Sequence, residues 1–187
     1  MPVRPCPPRS SAHPASGPPR SAPRARRRSR RSAGLAGTAV AAALLAGCTT
    51  PVTVPVAPAA ADPLCAEVVL ALPTDLEGLE RLRTGSQATV AWGDRSSPVV
   101  LRCGVTPLGP TTDQCVAADD GTTSIDWVAV SGPEDAEGGA DWLFTTYGRE
   151  PAVEVSVPAE VTSERSTSFL LDLGPAIEQV EQTRFCS

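Results

Sequence analysis

The sequence predicts an α+β domain, a mostly antiparallel sheet of about five strands with helices from both chain ends packed on one face. Three observations carry that expectation. Five short runs between residues 88 and 157 alternate apolar with polar residues. Clusters of Gly, Pro and Asp separate those runs. Helical spacing of apolar residues is found towards the two ends of the same stretch.

Residues 1–32 are rich in Arg, Pro and Ser and hold nine of the sixteen arginines, and residues 33–47 are small and apolar. A basic region, a short apolar region and a small-residue cleavage site make a secretory signal, so 1–47 is predicted to be a signal peptide. Its fifteen apolar residues fall short of the roughly 20 that a spanning helix needs. Leu45-Ala46-Gly47-Cys48 reads as a lipobox, in which Gly47 permits cleavage and the Cys48 thiol carries lipid. Ser29-Arg30-Arg31 permits a twin-arginine export route, although the residues after it fit that route poorly. The expected location is the extracytoplasmic face of the cell membrane, with the membrane itself as a partner through Cys48.

Residues 48–62 read as the lipidated cysteine followed by a Pro/Ala-rich tether. At about 3.1 Å per residue, such a spacer would hold a domain roughly 40 Å from the membrane. The folded domain is then 63–187. It opens on a helix: Asp62 caps, Pro63 suits the first position, Leu64, Val68 and Leu72 share a face, and Pro73 stops the run. Thr74 and Glu77 form a capping box for a second helix through Leu76, Leu79 and Leu82, with a Glu77–Arg81 pair and Gly85 as its end. Strands follow at Ala88/Val90/Trp92, Val99/Leu101/Cys103, Ile125/Trp127/Ala129, Trp142/Phe144/Thr146 and Val153/Val155/Val157. The C-terminal stretch has two readings, a helix capped by Ser163 or a strand at 169–173. Gly174-Pro175 breaks it, and 175–183 is again helical in pattern.

After cleavage and lipidation, four of the six cysteines remain in an oxidising compartment, which predicts two disulfides. Of the three possible pairings, Cys103 with Cys115 is the local one, leaving Cys65 with Cys186. A zinc site is disfavoured because the spacings are not C-x-x-C and the mature chain has no histidine. The mature chain sets seven arginines against all 21 acidic residues, a net charge of −14. That charge excludes nucleic acid as a partner and leaves acyl chains as the membrane tether.

Ala91-Trp92-Gly93, Val100-Leu101-Arg102-Cys103-Gly104-Val105, Cys115, Asp126-Trp127 and the run from Thr146 to Pro158 together carry a likeness. The chain resembles an actinobacterial lipoprotein family known only as domain of unknown function 3515, over roughly residues 64–187. The resemblance implies a membrane-anchored envelope protein and brings no activity with it.

The mature chain lacks both His and Lys, which removes triad nucleophiles, Schiff-base chemistry and histidine-ligated metals. No catalytic residue, metal or cofactor is expected. Hydrolysis by two carboxylates remains physically possible. Asp113, Asp119, Asp120, Glu134, Asp135 and Glu137 lie in predicted loops, where carboxylates can bind calcium, but without EF-hand spacing. The ligand-binding candidates are Arg149 in a Tyr-Gly-Arg turn, Arg102 inside an apolar strand, and the aromatics Trp127 and Tyr147. The expected function is a non-enzymatic interaction domain for an envelope protein. A small-ligand- or cell-wall-glycan-binding lipoprotein is the alternative.

Overall fold

The computed structural model describes residues 50–186. The signal-peptide reading of 1–47 and the lipidation of Cys48 lie outside the described residues. Helix α1, Pro63–Ala71, starts where the sequence predicts. The Asp62 side chain accepts from the Leu64 N–H at 2.9 Å, and Pro63 sits in the first turn.

The second expected helix is instead a hairpin of β1, Asp75–Leu76, and β2, Leu79–Leu82. Glu77 and Gly78 have φ of 50° and 88°, the pair of positive values that a tight two-residue hairpin turn needs. The Asp75 carboxylate accepts from the Gly78 N–H at 2.7 Å. A spacing of three leucines serves a helical face, but Leu76 and Leu79 face each other equally well across this turn. Arg81 does not pair with Glu77. It donates to the Val69 and Leu72 carbonyls at 3.2 and 3.3 Å, satisfying the end of α1.

All five expected strands form: β3 (Thr89–Trp92), β4 (Val99–Val105), β6 (Ser124–Ser131), β7 (Trp142–Thr146) and β8 (Ala152–Val157). With β1, β2 and the additional β5 (Gln114–Asp119), the sheet has eight strands rather than five, in the order β1-β2-β3-β4-β8-β7-β6-β5, each pair antiparallel. One meander runs from β1 to β4. The chain then crosses to the far edge, and a second meander, β5 to β8, returns to pair β8 with β4. Trp92, Leu101, Ile125, Trp127 and Val155 are fully buried on one face. α1 and the C-terminal helices cover them, contributing Val68, Phe169 and Ile177 to the same core.

Those C-terminal helices are short: α2 (Ala159–Glu164), a 3-10 helix (Thr167–Leu173) and α3 (Gly174–Ile177). Ser166, not Ser163, is the cap, accepting from the Ser168 N–H at 3.2 Å. Gly174-Pro175 ends the 3-10 helix, with Gly174 as its C-cap, and at the same time opens α3, since proline fits a first helical turn.

The expected free tether is packed against the domain. Val52 donates to the Arg83 carbonyl at 2.8 Å and accepts from Gly85 at 3.1 Å, and Ala59 donates to the Gly104 carbonyl at 2.9 Å. Val54, Ala57 and Ala60, every third residue, are buried, the spacing of an extended three-per-turn chain. Gly104 lies beneath this strap with φ +89°, and a Cβ there would overlap the Ala59 carbonyl group. The packed chain thus begins by residue 52 rather than 63.

The disulfides pair Cys65 with Cys103 and Cys115 with Cys186, at Cα separations of 5.4 and 6.1 Å. This corrects the expected Cys103–Cys115 and Cys65–Cys186 pairing. Cys103 points to the core face beneath α1, whereas Cys115 is paired beside Val128 on the opposite face, four strands away. Closeness in sequence misleads because the chain between them crosses the sheet.

Candidate functional site

The corner of the sheet formed by β5, β6 and β7 is only partly covered by residues 159–171, and a cleft of about 670 Å³ remains. Strand alternation builds its floor. Trp127 and Ala129 of β6 and Trp142 and Phe144 of β7 fall on the core face through the pairs Trp127↔Thr146, Ala129↔Phe144 and Ser131↔Trp142. Trp142 stacks on Phe144 with centroids 6.0 Å apart, and Trp127 meets Phe144 edge-on at 6.4 Å. β5 supplies the rim with Val116 and Ala118.

The opposite wall is hydroxylic, with Ser166, Thr167 and Ser168. It is braced against the β1–β2 hairpin. Arg165 donates to the Glu77 carbonyl at 2.8 Å, and the Ser168 hydroxyl to the Glu77 carboxylate at 2.9 Å. Burial, and the nearby charges of Glu77 and Asp75, hold the Asp172 carboxyl above its ordinary range. Trp127 itself is fully buried, and its indole Nε1–H has no acceptor among the described residues. Asp119 is the one carboxylate among the described residues lining the cleft. The surroundings therefore suit burial of flat or apolar groups beside a polar wall, not a two-carboxylate displacement.

The sequence candidates are not brought together. Trp127 belongs to the cleft floor. Arg149 is buried, not at a loop mouth. It donates to the Val180 carbonyl, to the Ile177 carbonyl at 3.5 Å and to Gln182 Oε1 at 3.1 Å. Burial pushes its pKa down, opposed by the charges of Glu178 and Asp126. It fastens the segment after α3 to the β7–β8 connection. Arg102 lies on the face away from the cleft. Its Nε donates to Glu154 Oε1 at 2.9 Å, the residue directly across from it on β8. Tyr147 is half-buried, with the Arg184 guanidinium 5.6 Å from its ring centroid, in a recess beside the Cys115–Cys186 bridge.

The acidic loops are spent on their own turns. Asp119 accepts from Gly121 at 2.7 Å, and Asp120 from Thr122 and Thr123 at 2.8 Å, which holds the Asp120 pKa below its ordinary value. Asp135 accepts from Glu137 and Gly139 at 3.0 and 2.7 Å. Among the described residues, no group of three His, Cys, Asp or Glu is placed to hold a metal ion. Sequence reasoning missed Val116 and the hydroxyl wall. The run Thr162-Ser163-Glu164-Arg165-Ser166-Thr167-Ser168 was the available signal for the wall.

Residues 33–185 match the family described as "Protein of unknown function (DUF3515)", and the chain belongs to that family. No curated protein and no solved structure matches it. The motifs Val100–Val105 and Thr146–Pro158 have a structural meaning here. They contain Gly104, on which the N-terminal strap lies, and Gly148, on which the C-terminal one lies.

Proposed function

For this member of the DUF3515 family, we propose a lipoprotein lipidated on Cys48, held at the extracytoplasmic face of the cell membrane, that acts by binding an envelope protein rather than by catalysis. The cleft is the observation that carries the binding half of this reading: an aromatic floor, a hydroxyl wall and, among the described residues, a single lining carboxylate. The lipobox supports the anchor. Because the chain is packed from residue 52, three residues separate Cys48 from the folded domain, and the domain stands on the membrane instead of at the end of a long tether. A cell-wall glycan is the second reading. The half-buried Trp142 ring opposite serine and threonine hydroxyls favours it, since sugars stack on such rings.

The test combines mass spectrometry of membrane-extracted protein with crosslinking in intact cells, comparing wild type, Cys48→Ala and Trp142→Ala. Lipid mass on an N-terminal Cys48 is expected. So is one membrane or wall-synthesis protein captured by wild type, lost with Cys48→Ala and reduced about tenfold by Trp142→Ala. An unlipidated Cys48 overturns the anchor. A retained glycan with no captured protein moves the reading to the second.

A further inference from the structure

The two margins of the sheet differ. At one, β1 is two residues long, and Val52 lies bonded beside Thr84. At the other, β5 runs six residues in unbroken register with β6, from Gln114↔Ala129 to Asp119↔Ser124. Beyond the sheet ladder, no backbone–backbone hydrogen bond among the described residues involves residues 114–119. Every residue of β5 is exposed except Ala118, which is half-buried. No bulge, proline or basic side chain guards the strand, so its outward row of N–H and C=O groups is a template for a further strand.

We propose that β5 accepts an extended segment of a partner protein as a ninth strand, with apolar side chains at alternate positions and basic residues at its ends. The alternation follows from the cleft. Gln114, Val116 and Ala118 pair with Ala129, Trp127 and Ile125 on the core face, so every second side chain of an added strand falls beside the aromatic floor. The basic ends follow from charge. Asp113 precedes β5, Asp119 and Asp120 close it, and the mature chain is net −14. The same carboxylates disfavour a second copy, because symmetric antiparallel pairing of two β5 strands sets Asp113 opposite Asp120 at both ends. The inference rests on the reading that the domain acts by binding, and not on the lipid anchor.

The test uses the mature chain carrying Cys48→Ala, with both disulfides intact. The probe is fluorescein-labelled Arg-Val-Thr-Val-Thr-Val-Thr-Arg. Its controls carry Glu at both ends or Pro in place of the central Val. Fluorescence anisotropy reads affinity, and amide hydrogen exchange reads the site. The Arg-ended probe is expected to bind about tenfold tighter than either control, and to slow exchange within 114–119. Val116→Arg, at a position 39% exposed and therefore tolerant of a long side chain, is expected to weaken binding about tenfold. Equal binding of the controls, protection outside β5, no saturation by about 1 mM probe, or a wild-type dimer that Val116→Arg dissociates would each overturn the proposal. Partner capture in cells that persists alongside such a failure would keep the binding reading and place its site elsewhere.

Discussion

The N-terminal strap, residues 51–62, and the C-terminal strap, residues 180–186, use the same seat and different fastenings. Each lies against a glycine whose φ is positive, +89° at Gly104 near the end of β4 and +72° at Gly148 in the β7–β8 connection, and whose missing Cβ makes room for the strap's backbone. The N-terminal strap is apolar and small. Val54, Ala57 and Ala60 sink into the domain, and main-chain bonds to Arg83, Gly85 and Gly104, with one hydroxyl bond from Ser86 to the Val54 carbonyl, do the rest. The C-terminal strap is mostly exposed beyond Val180 and has little to bury. It is fastened by Arg149 donating to Val180 and Gln182, and by Asp126 accepting from Gln182 and the Cys186 N–H at 2.9 Å each. Thr183 adds a bond to the Gly148 carbonyl at 2.7 Å, and the Cys115–Cys186 bridge closes the end. A strap that buries apolar surface needs no network, whereas a polar strap holds only if each of its groups finds a partner.

The largest effect is expected from the seats themselves. Gly148→Ala drives a Cβ into the Arg184 carbonyl oxygen, and Gly104→Ala drives one into Ala59, each at a φ that alanine resists. We expect about 3 kcal/mol or more of destabilisation for either in urea denaturation, with Gly148→Ala the worse because its overlap is deeper. A smaller loss for Gly148→Ala than for Gly104→Ala would reverse that ordering.

The fastenings come next. Cys115→Ser with Cys186→Ser opens a bridge spanning 71 residues and is expected to cost about 2–4 kcal/mol. Faster hydrogen exchange should then appear in 180–186 and not in 51–62. Arg149→Met keeps the volume of the stem but leaves the Val180 carbonyl and Gln182 unanswered, for about 2 kcal/mol, again with exchange rising only in the C-terminal strap. Equal loosening of both straps would show one cooperative unit, and the contrast between burial and network would fall.

The straps also show which features a sequence displays. Asp62-Pro63 and Val153/Val155/Val157 were legible because capping and strand alternation are local. Leu76, Leu79 and Leu82 were not, because their spacing of three also suits a two-residue hairpin, and the deciding residues were Glu77 and Gly78 between them. β5 was missed because nearly all of it is exposed, so neither face of Gln114–Asp119 carries a contrast in polarity. Pro51 to Asp62 has the composition of a free spacer, and only its three-residue recurrence, Val54, Ala57 and Ala60, marks a face. Arg149 was placed in the correct turn. The side of the turn it faces depends on Val180 and Gln182, some thirty residues on. Half of the candidate cleft, the aromatic floor, was visible as alternating strands. The wall depends on how the 3-10 helix lies over them.

The smallest expected effect lies outside both straps and serves as their control. Asp172 is held above the ordinary carboxylate range by burial and by the charges of Glu77 and Asp75. The native state therefore keeps this proton to a higher pH than the unfolded chain does. Between those two pKa values the native state binds more protons, so stability falls as pH rises through that window. Asp172→Asn removes the charge that is penalised. The variant should unfold at a slightly higher urea concentration than wild type at neutral pH, with the advantage shrinking as pH drops towards and below the ordinary aspartate range. Exchange in 51–62 and in 180–186 should change together and only as global stability changes, because Asp172 touches neither strap's fastening. A change in 180–186 alone would mean that the 3-10 helix transmits to the polar strap, making that strap sensitive to pH where the buried one is not.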